Sequence, residues 1–182
     1  MVIFLIGFMG SGKSWWAHRL SEELQIPNYD LDAVIEEAEG LEITDIFSVK
    51  GEGYFRRKER ECLGSLVEKL HGNVTAHTGN WTAVISCGGG TPCFFDTMDW
   101  MNRHGLTVWL NPPVEMLAAR LITETASRPL LAGKTGADLV ELIDHLMEER
   151  APFYEKARVQ IKNTHLAMQE FINILEHAPD LP

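Results

Sequence analysis

The chain has 182 residues, of which 45% are hydrophobic and 23% charged, and its formal net charge is −10. This size predicts one globular domain whose core needs no disulfide or metal support. The acidic balance argues against nucleic acid as a partner. No apolar run reaches the length of a membrane span, and we expect a cytoplasmic protein. We also expect a monomer.

Strands and helices alternate along the predicted chain. Apolar, β-branched runs predict strands at 2–6, 28–31, 83–87, 106–110 and 158–161. Helical spacing and end signals predict helices at 13–24, at 32 or 33 to 38, at 52–70, from the proline pair 112–113 to about 123, at 138–157 and at 166–177. Thr44 is expected to cap a turn over 45–49 and Asp138 to cap its helix, while 71–82 and 125–136 have the composition of a loop and of a mobile surface segment. The alternation predicts an α/β fold in three layers, with a parallel sheet covered on both faces and ligands at the carboxyl ends of its strands.

The first strand runs directly into a glycine-rich loop. Residues 7–14 read Gly-Phe-Met-Gly-Ser-Gly-Lys-Ser, which fits the pattern G-x-x-x-x-G-K-[ST] between a strand and a helix. Backbone N–H groups of such a loop surround a phosphate, the lysine reaches the β and γ phosphates and the serine hydroxyl can ligate Mg²⁺. The loop therefore predicts a nucleoside triphosphate site formed by Gly10, Ser11, Gly12, Lys13 and Ser14.

Two aspartates stand at the end of the second strand. Asp30 and Asp32 are two residues apart, so strand geometry would direct both carboxylates to the same side, near the phosphate loop. One could then support Mg²⁺ and the other a substrate hydroxyl. The alternative is structural: Asp32 caps the next helix and Asp30 is a solvated strand end.

Arginines and glycines stand at segment ends where ligands of such a fold would bind. Arg56 lies near the start of the long helix, Arg128 lies in the segment predicted to be mobile, and Arg150 precedes Tyr154 by one helical turn. In an acidic chain, arginines at these places are suited to bind carboxylate and phosphate groups. The run 88–90 is three glycines after the third strand, where the backbone can approach a ligand closely, although a plain turn would need the same residues.

As an ordered set, these motifs resemble the shikimate kinase family. The set comprises the glycine-rich loop near the N-terminus, Asp30-Leu31-Asp32, Gly51-Glu52 leading to Phe55-Arg56 and Glu59, Gly88-Gly89-Gly90, Arg128-Pro129-Leu130-Leu131, and Arg150 with Tyr154. The resemblance implies a P-loop fold like that of nucleoside monophosphate kinases, a five-stranded parallel sheet, a helical substrate-binding subdomain at about 32–62 and a lid at about 124–137. It also implies transfer of the ATP γ-phosphoryl group to the 3-hydroxyl of shikimate, with Mg²⁺ as the cofactor.

The resemblance further implies a role for each residue. Asp32 would bind the shikimate hydroxyls and receive the proton, and Asp30 would support Mg²⁺ together with Ser14. The carboxylate of shikimate would be bound by Arg56 and Arg150, and its ring by the backbone of Gly88, Gly89 and Gly90. Lys13 and the lid residue Arg128 would act on the phosphoryl group, and Arg120 would pack near the adenine.

The sequence departs from the family directly after the phosphate loop. The family usually has a threonine after the lysine and serine, whereas this chain has Trp15 and Trp16. We expect a tryptophan there to pack on the sheet or on the adenine side. Two other functions stay open: a kinase of the same fold with another hydroxylated acceptor such as gluconate, and a nucleotide-binding protein without catalysis. The thiols of Cys62, Cys87 and Cys93 lack metal-ligand spacing and are expected to be reduced.

Overall fold

A five-stranded parallel sheet lies at the centre of the computed structural model, which describes residues 1–72, 80–122, 136–163 and 166–178. The strands are β1 (Val2–Ile6), β2 (Asn28–Asp30), β3 (Ala83–Ser86), β4 (Gly105–Leu110) and β5 (Val159–Ile161), and their order in the sheet is β2-β3-β1-β4-β5. All four neighbouring pairs are parallel. The predicted α/β class and parallel sheet are therefore confirmed.

Eight helices of the described residues surround the sheet. They are α1 (Lys13–Leu24), α2 (Leu31–Glu39), α3 (Ile43–Lys50), α4 (Glu52–Gly72), α5 (Thr97–His104), α6 (Val114–Leu121), α7 (Gly136–Tyr154) and α8 (Met168–Glu176), with one 3₁₀ turn at Thr91–Cys93. Within the described ranges, no helix is both long enough and apolar enough to cross a bilayer.

The central strand β1 is buried on both faces, which explains its continuous apolar run. Phe4 belongs to a core cluster that also contains Ile35 of α2 and Leu63 of α4. Leu5, on the opposite face, belongs to a cluster with residues of α1 and α8, including Phe171. Because successive side chains of a strand point to opposite faces, one short segment supports both helical layers and fixes the loop that follows it.

Several predicted boundaries are corrected by the structure. Strand β2 ends at Asp30, and α2 begins at Leu31. Thr44 does not cap a turn, because α3 begins at Ile43 with Glu42 as its N-cap. Asp138 is likewise inside the first turn of α7 and not before it. Helix α7 ends at Tyr154 and not at 157, because the N–H groups of residues 156 and 157 bond to carbonyls three residues earlier, which tightens the chain into a turn.

A third core cluster joins α6 and α7 below the phosphate loop. Phe8 packs there with Leu117 and Leu121 of α6 and with Leu139 and Ile143 of α7. These two helices flank the segment predicted as a lid at about 124–137, which lies outside the described residues except for 136 and 137 at the start of α7. The predicted loop at 71–82 also lies largely outside them, and its first two residues belong to α4.

Candidate active site

The glycine-rich loop joins β1 to α1 in a conformation that requires glycine. Gly7 has φ +138°, and a Cβ atom on it would lie 2.5 Å from the carbonyl oxygen of Leu110 on the neighbouring strand. Gly12 has φ +94° and is the N-cap of α1. Both positions lie in the region that L side chains rarely adopt, so the glycines of the motif let the loop close tightly at the end of the sheet.

Polar groups converge on the concave side of this loop. The N–H of Trp16 makes the first intrahelical bond, to Gly12, so the N–H groups of the residues before it lie at the open end of α1. Lys13 is buried, and its ammonium donates to the carbonyls of Gly7 at 3.0 Å and Phe8 at 2.8 Å. The hydroxyl of Ser11 is buried without a hydrogen-bond partner among the described residues. A helix N-terminus with such donors is an anion site.

The two aspartates reach this loop by a different geometry from the one predicted. Asp30 ends β2 and caps α2, because its Oδ1 accepts from the N–H of Asp32 at 3.1 Å, while its Oδ2 accepts from the Ser14 hydroxyl at 2.9 Å. Asp32 lies on the first turn of α2 and not on the strand, so the prediction from strand periodicity was wrong. The cap belongs to Asp30 and not to Asp32, yet both carboxylates line the cavity beside the loop.

Asp32 lies in an environment that disfavours its charge. Burial, followed by the negative charges of Asp30, Glu59 and Glu36, raises the pKa of Asp32 to about 6, although Lys13 acts in the opposite direction. A carboxylate with a pKa this close to neutrality can accept a proton from a bound group and release it again.

Arg56 is held in a buried charge network at the start of α4. It bonds to Glu52 through Nε at 3.3 Å and Nη2 at 3.2 Å, and to Glu59 through Nη1 at 2.9 Å. Glu59 also accepts from the Thr91 hydroxyl at 2.6 Å. The guanidinium carbon lies 4.3 Å from the ring centroid of Phe94, a cation–π distance. A guanidinium has five N–H donors, so these three bonds leave two for a ligand.

The glycines after β3 bring backbone against these charged groups. A Cβ atom at Gly90 would lie 2.5 Å from Nη2 of Arg56, and one at Gly89 would lie 3.2 Å from Nη1 of Arg150. The Tyr154 hydroxyl donates to the carbonyl of Gly89, and burial raises the pKa of that hydroxyl. A side chain at Gly90 would thus clash with the guanidinium of Arg56, whereas one at Gly89 would only press on the end of Arg150.

Two cavities meet at the carboxyl ends of the strands. The first has a volume of about 1000 Å³ and is lined by residues 10–14 of the loop, Asp30, Asp32 and Arg120. The second has a volume of about 510 Å³ and is lined by Arg56, Arg150, Glu59 and residues 88–90. Their lining residues overlap at Met9, Asp32, Gly88 and Gly89. Ligands in the two cavities would therefore adjoin one another beside the Asp32 carboxylate.

Arg120 and Arg128 were both predicted near the nucleotide. The Nη1 of Arg120 donates to the carbonyl of Gly10 at 2.9 Å, which places this arginine on the phosphate loop. Arg128 lies outside the described residues. The cysteines form no disulfide; Cys62 and Cys87 are buried and Cys93 is half-buried, and burial raises the pKa of each thiol.

Three further residues at the site were not among the predicted site residues. Glu59 accepts a hydrogen bond from Arg56, Thr91 donates to Glu59, and Phe94 covers the face of the guanidinium. The spacing of Glu59, three residues after Arg56 on one helix, is the sequence signal for the first contact. Thr91 and Phe94 lie on a different segment, and no local pattern connects them to Arg56.

The strand, phosphate loop, helix and adjoining second cavity define a P-loop kinase. The sequence profile of the shikimate kinase family matches residues 9–178. The chain belongs to the shikimate kinase family, and it is an ATP-dependent kinase.

Individual relatives agree with this assignment. Shikimate kinase of Bacteroides fragilis is 41% identical over 155 residues, which cover 85% of this chain and 80% of the relative. The crystal structure of shikimate kinase from Bacteroides thetaiotaomicron matches with a TM-score of 0.80 and 36% identity, covering 97% of this chain and 94% of that one. The structure of the Acinetobacter baumannii enzyme in complex with shikimate matches with a TM-score of 0.76 and 28% identity, covering 94% and 87%.

Proposed function

We propose that this chain transfers the γ-phosphoryl group of ATP to the 3-hydroxyl of shikimate, giving shikimate 3-phosphate and ADP. Membership of the shikimate kinase family supports the reaction. The main structural support is that two cavities meet at Asp32. One cavity contains the phosphate loop, and the other contains two arginines. Transfer between bound substrates needs such adjacent sites, because most of the rate comes from positioning.

The second cavity is suited to a small hydroxylated carboxylic acid. Arg56 and Arg150 supply two guanidinium groups for the carboxylate, and the glutamates around Arg56 fix its orientation before a ligand binds. The backbone of Gly88, Gly89 and Gly90 lines the same cavity and can contact the ring. Ionised, paired donors of this kind give stronger and more directional bonds than neutral donors.

In this proposal, each step of the transfer is assigned to a residue. The acceptor hydroxyl attacks the γ-phosphorus, the bond from that phosphorus to the β-phosphate oxygen breaks, and the hydroxyl proton passes to the carboxylate of Asp32. Lys13 neutralises charge that develops on the phosphoryl oxygens and on the leaving ADP. In this proposal, Arg128 adds a second cation from a lid at about 124–137 that excludes water when it closes.

The oxygen donors beside the loop fit Mg²⁺. Within the described residues there is no cluster of three or more histidine, cysteine or acidic side chains that could hold a metal, but Mg²⁺ needs only one or two protein ligands when phosphates and water complete its shell. Ser14 and Asp30 provide a hydroxyl and a carboxylate whose oxygens are 2.9 Å apart. Bound there, Mg²⁺ would neutralise the β- and γ-phosphate oxygens.

We propose a cytoplasmic monomer with one domain, in which residues from about 32 to 62 form the substrate-binding subdomain. Helices α2 and α3 and the first part of α4 occupy that range, and they carry Asp32 and Arg56. The net charge of −10 supports the view that nucleic acid is not a partner.

A coupled ADP-release assay tests this function. With Mg-ATP present, we expect ADP release to depend on shikimate, and neither gluconate nor a nucleoside monophosphate should replace it. Lys13→Ala should lose activity with every acceptor, whereas Glu37→Gln, at an exposed position of α2, serves as the matched control. Stimulation by gluconate instead of shikimate would reassign the acceptor, and ATP binding without turnover would favour a protein that has lost catalysis.

A further inference from the structure

The two tryptophans after the phosphate loop have different surroundings. Trp16 is buried and meets the ring of Phe171 in α8 edge-to-face, with the centroids 4.7 Å apart. Trp15 is 57% exposed, although its side chain is among the largest and least polar of the chain. Both line the cavity beside the phosphate loop. Trp16 is thus part of the core. Trp15 instead exposes apolar surface to the cavity, and its contacts within the protein do not account for that exposure.

The position of Trp15 on α1 directs its ring towards the loop. It is the third residue of that helix, and helical side chains lean towards the helix N-terminus, which is the end that follows the phosphate loop. Its orientation is supported from two sides. Trp16 meets it edge-to-face at 4.8 Å, and the guanidinium carbon of Arg19, one turn later, lies 5.6 Å from the ring centroid.

The cavity has room for more than the phosphates. Residues 10–14 line one part of it, and Leu110, Pro112 and Ile161 line another with apolar surface. When the phosphate chain of ATP binds to the loop, the ribose and purine must occupy the rest of the cavity. Trp15 lines this cavity, so its exposed ring would share the cavity with the nucleoside of bound ATP.

We propose that Trp15 packs against the nucleoside part of bound ATP and so contributes to nucleotide affinity. The ring offers an apolar contact to the ribose or base at this position. The inference rests on the proposed function, since it takes ATP to be the ligand of the loop. Stacking of a base on an aromatic side chain accounts for roughly a 5- to 100-fold difference in Kd when the side chain is truncated to alanine.

Calorimetric titration with two ligands tests this proposal on the full chain. MgADP has both phosphates and a nucleoside, whereas inorganic triphosphate has phosphates alone. We expect Trp15→Ala to weaken MgADP binding by roughly 5- to 100-fold and to leave the Kd of inorganic triphosphate within about twofold. Trp15→Phe should restore most of the affinity. Trp100→Phe is the matched control, because Trp100 stacks on His104 away from both cavities and should leave both titrations unchanged.

Kinetics give a second measurement. Trp15→Ala should raise the KM for ATP while the KM for shikimate and kcat at saturating ATP change little, because the indole contacts neither the acceptor nor the transferred group. An unchanged Kd for MgADP would overturn the inference, as would an equal loss for MgADP and inorganic triphosphate, which would show that Trp15 only shapes the loop. Wild-type protein that binds MgADP without phosphorylating shikimate would contradict the proposed function and leave the titrations decisive for Trp15.

Discussion

Replacing Asp32 with asparagine should make the protein more stable and inactive at the same time. The folded structure raises the pKa of Asp32 to about 6 from 3.8, chiefly through burial and secondly through the charge of Asp30. Above pH 6 the ionised carboxylate therefore destabilises the folded state, by about 3 kcal/mol for a shift of this size. Asparagine has nearly the same shape without the charge, so Asp32→Asn should recover roughly this free energy.

The stability gained by Asp32→Asn should increase with pH. Between pH 3.8 and about 6 the folded protein binds more protons than the unfolded chain, so the penalty from Asp32 grows as the pH rises through this range. In urea titrations, the gain from Asp32→Asn should be about 3 kcal/mol at pH 7.5 and about half of that at pH 5. Glu37→Gln, on the exposed side of the same helix, should show almost no gain. A variant that is no more stable than wild type at pH 7.5, or a gain that is independent of pH, would refute the reasoning.

Three other predictions concern the acceptor cavity. Arg56→Lys should raise the KM for shikimate by roughly 10- to 100-fold, because an ammonium lacks the planar fork that bonds to Glu52 and Glu59 and still presents two donors to a ligand. An unchanged KM would remove Arg56 from the site. Phe94→Leu should raise the same KM several-fold without affecting the KM for ATP, because the aromatic face adds a cation–π contact to the bonds that Arg56 makes with its glutamates. Phe94→Tyr should restore the KM, and equal effects of both variants would contradict this role. The kcat/KM for shikimate should fall below about pH 6 as Asp32 is protonated in the free enzyme, and a profile that is flat down to pH 5 would argue against its role as proton acceptor.

The phosphate loop and the central strands could be predicted because their signals are local. An apolar run followed by Gly7, Gly12, Lys13 and Ser14 specifies a strand, a tight loop and a helix in sequence order. The start of α2 could not be predicted from periodicity, because a single side chain decides it. Asp30 accepts a hydrogen bond from the N–H of Asp32, so the helix begins at Leu31 and not at 32 or 33 as predicted. The prediction that both carboxylates lie near the loop was correct in position and wrong in its reason.

At the rest of the site, the contacts that could not be predicted join residues far apart in the sequence. The pairing of Arg56 with Glu59 follows helical spacing and was within reach of the sequence. Thr91 bonds to Glu59 across 32 positions, and Tyr154 bonds to Gly89 across 65, so each depends on how α4 and α7 pack on the sheet. The difference between Trp15 and Trp16 likewise depends on which face of α1 meets α8, and adjacent positions with the same residue type carry no signal about it.

The most direct test of the account is ³¹P NMR of the complete protein with Mg-ATP and shikimate. If the nucleotide cavity and the acceptor cavity meet at Asp32 as proposed, one new phosphomonoester signal should appear in step with ADP, and its coupling should assign it to the 3-oxygen of the shikimate ring. Release of ADP together with inorganic phosphate alone, at a rate that shikimate does not change, would contradict the account.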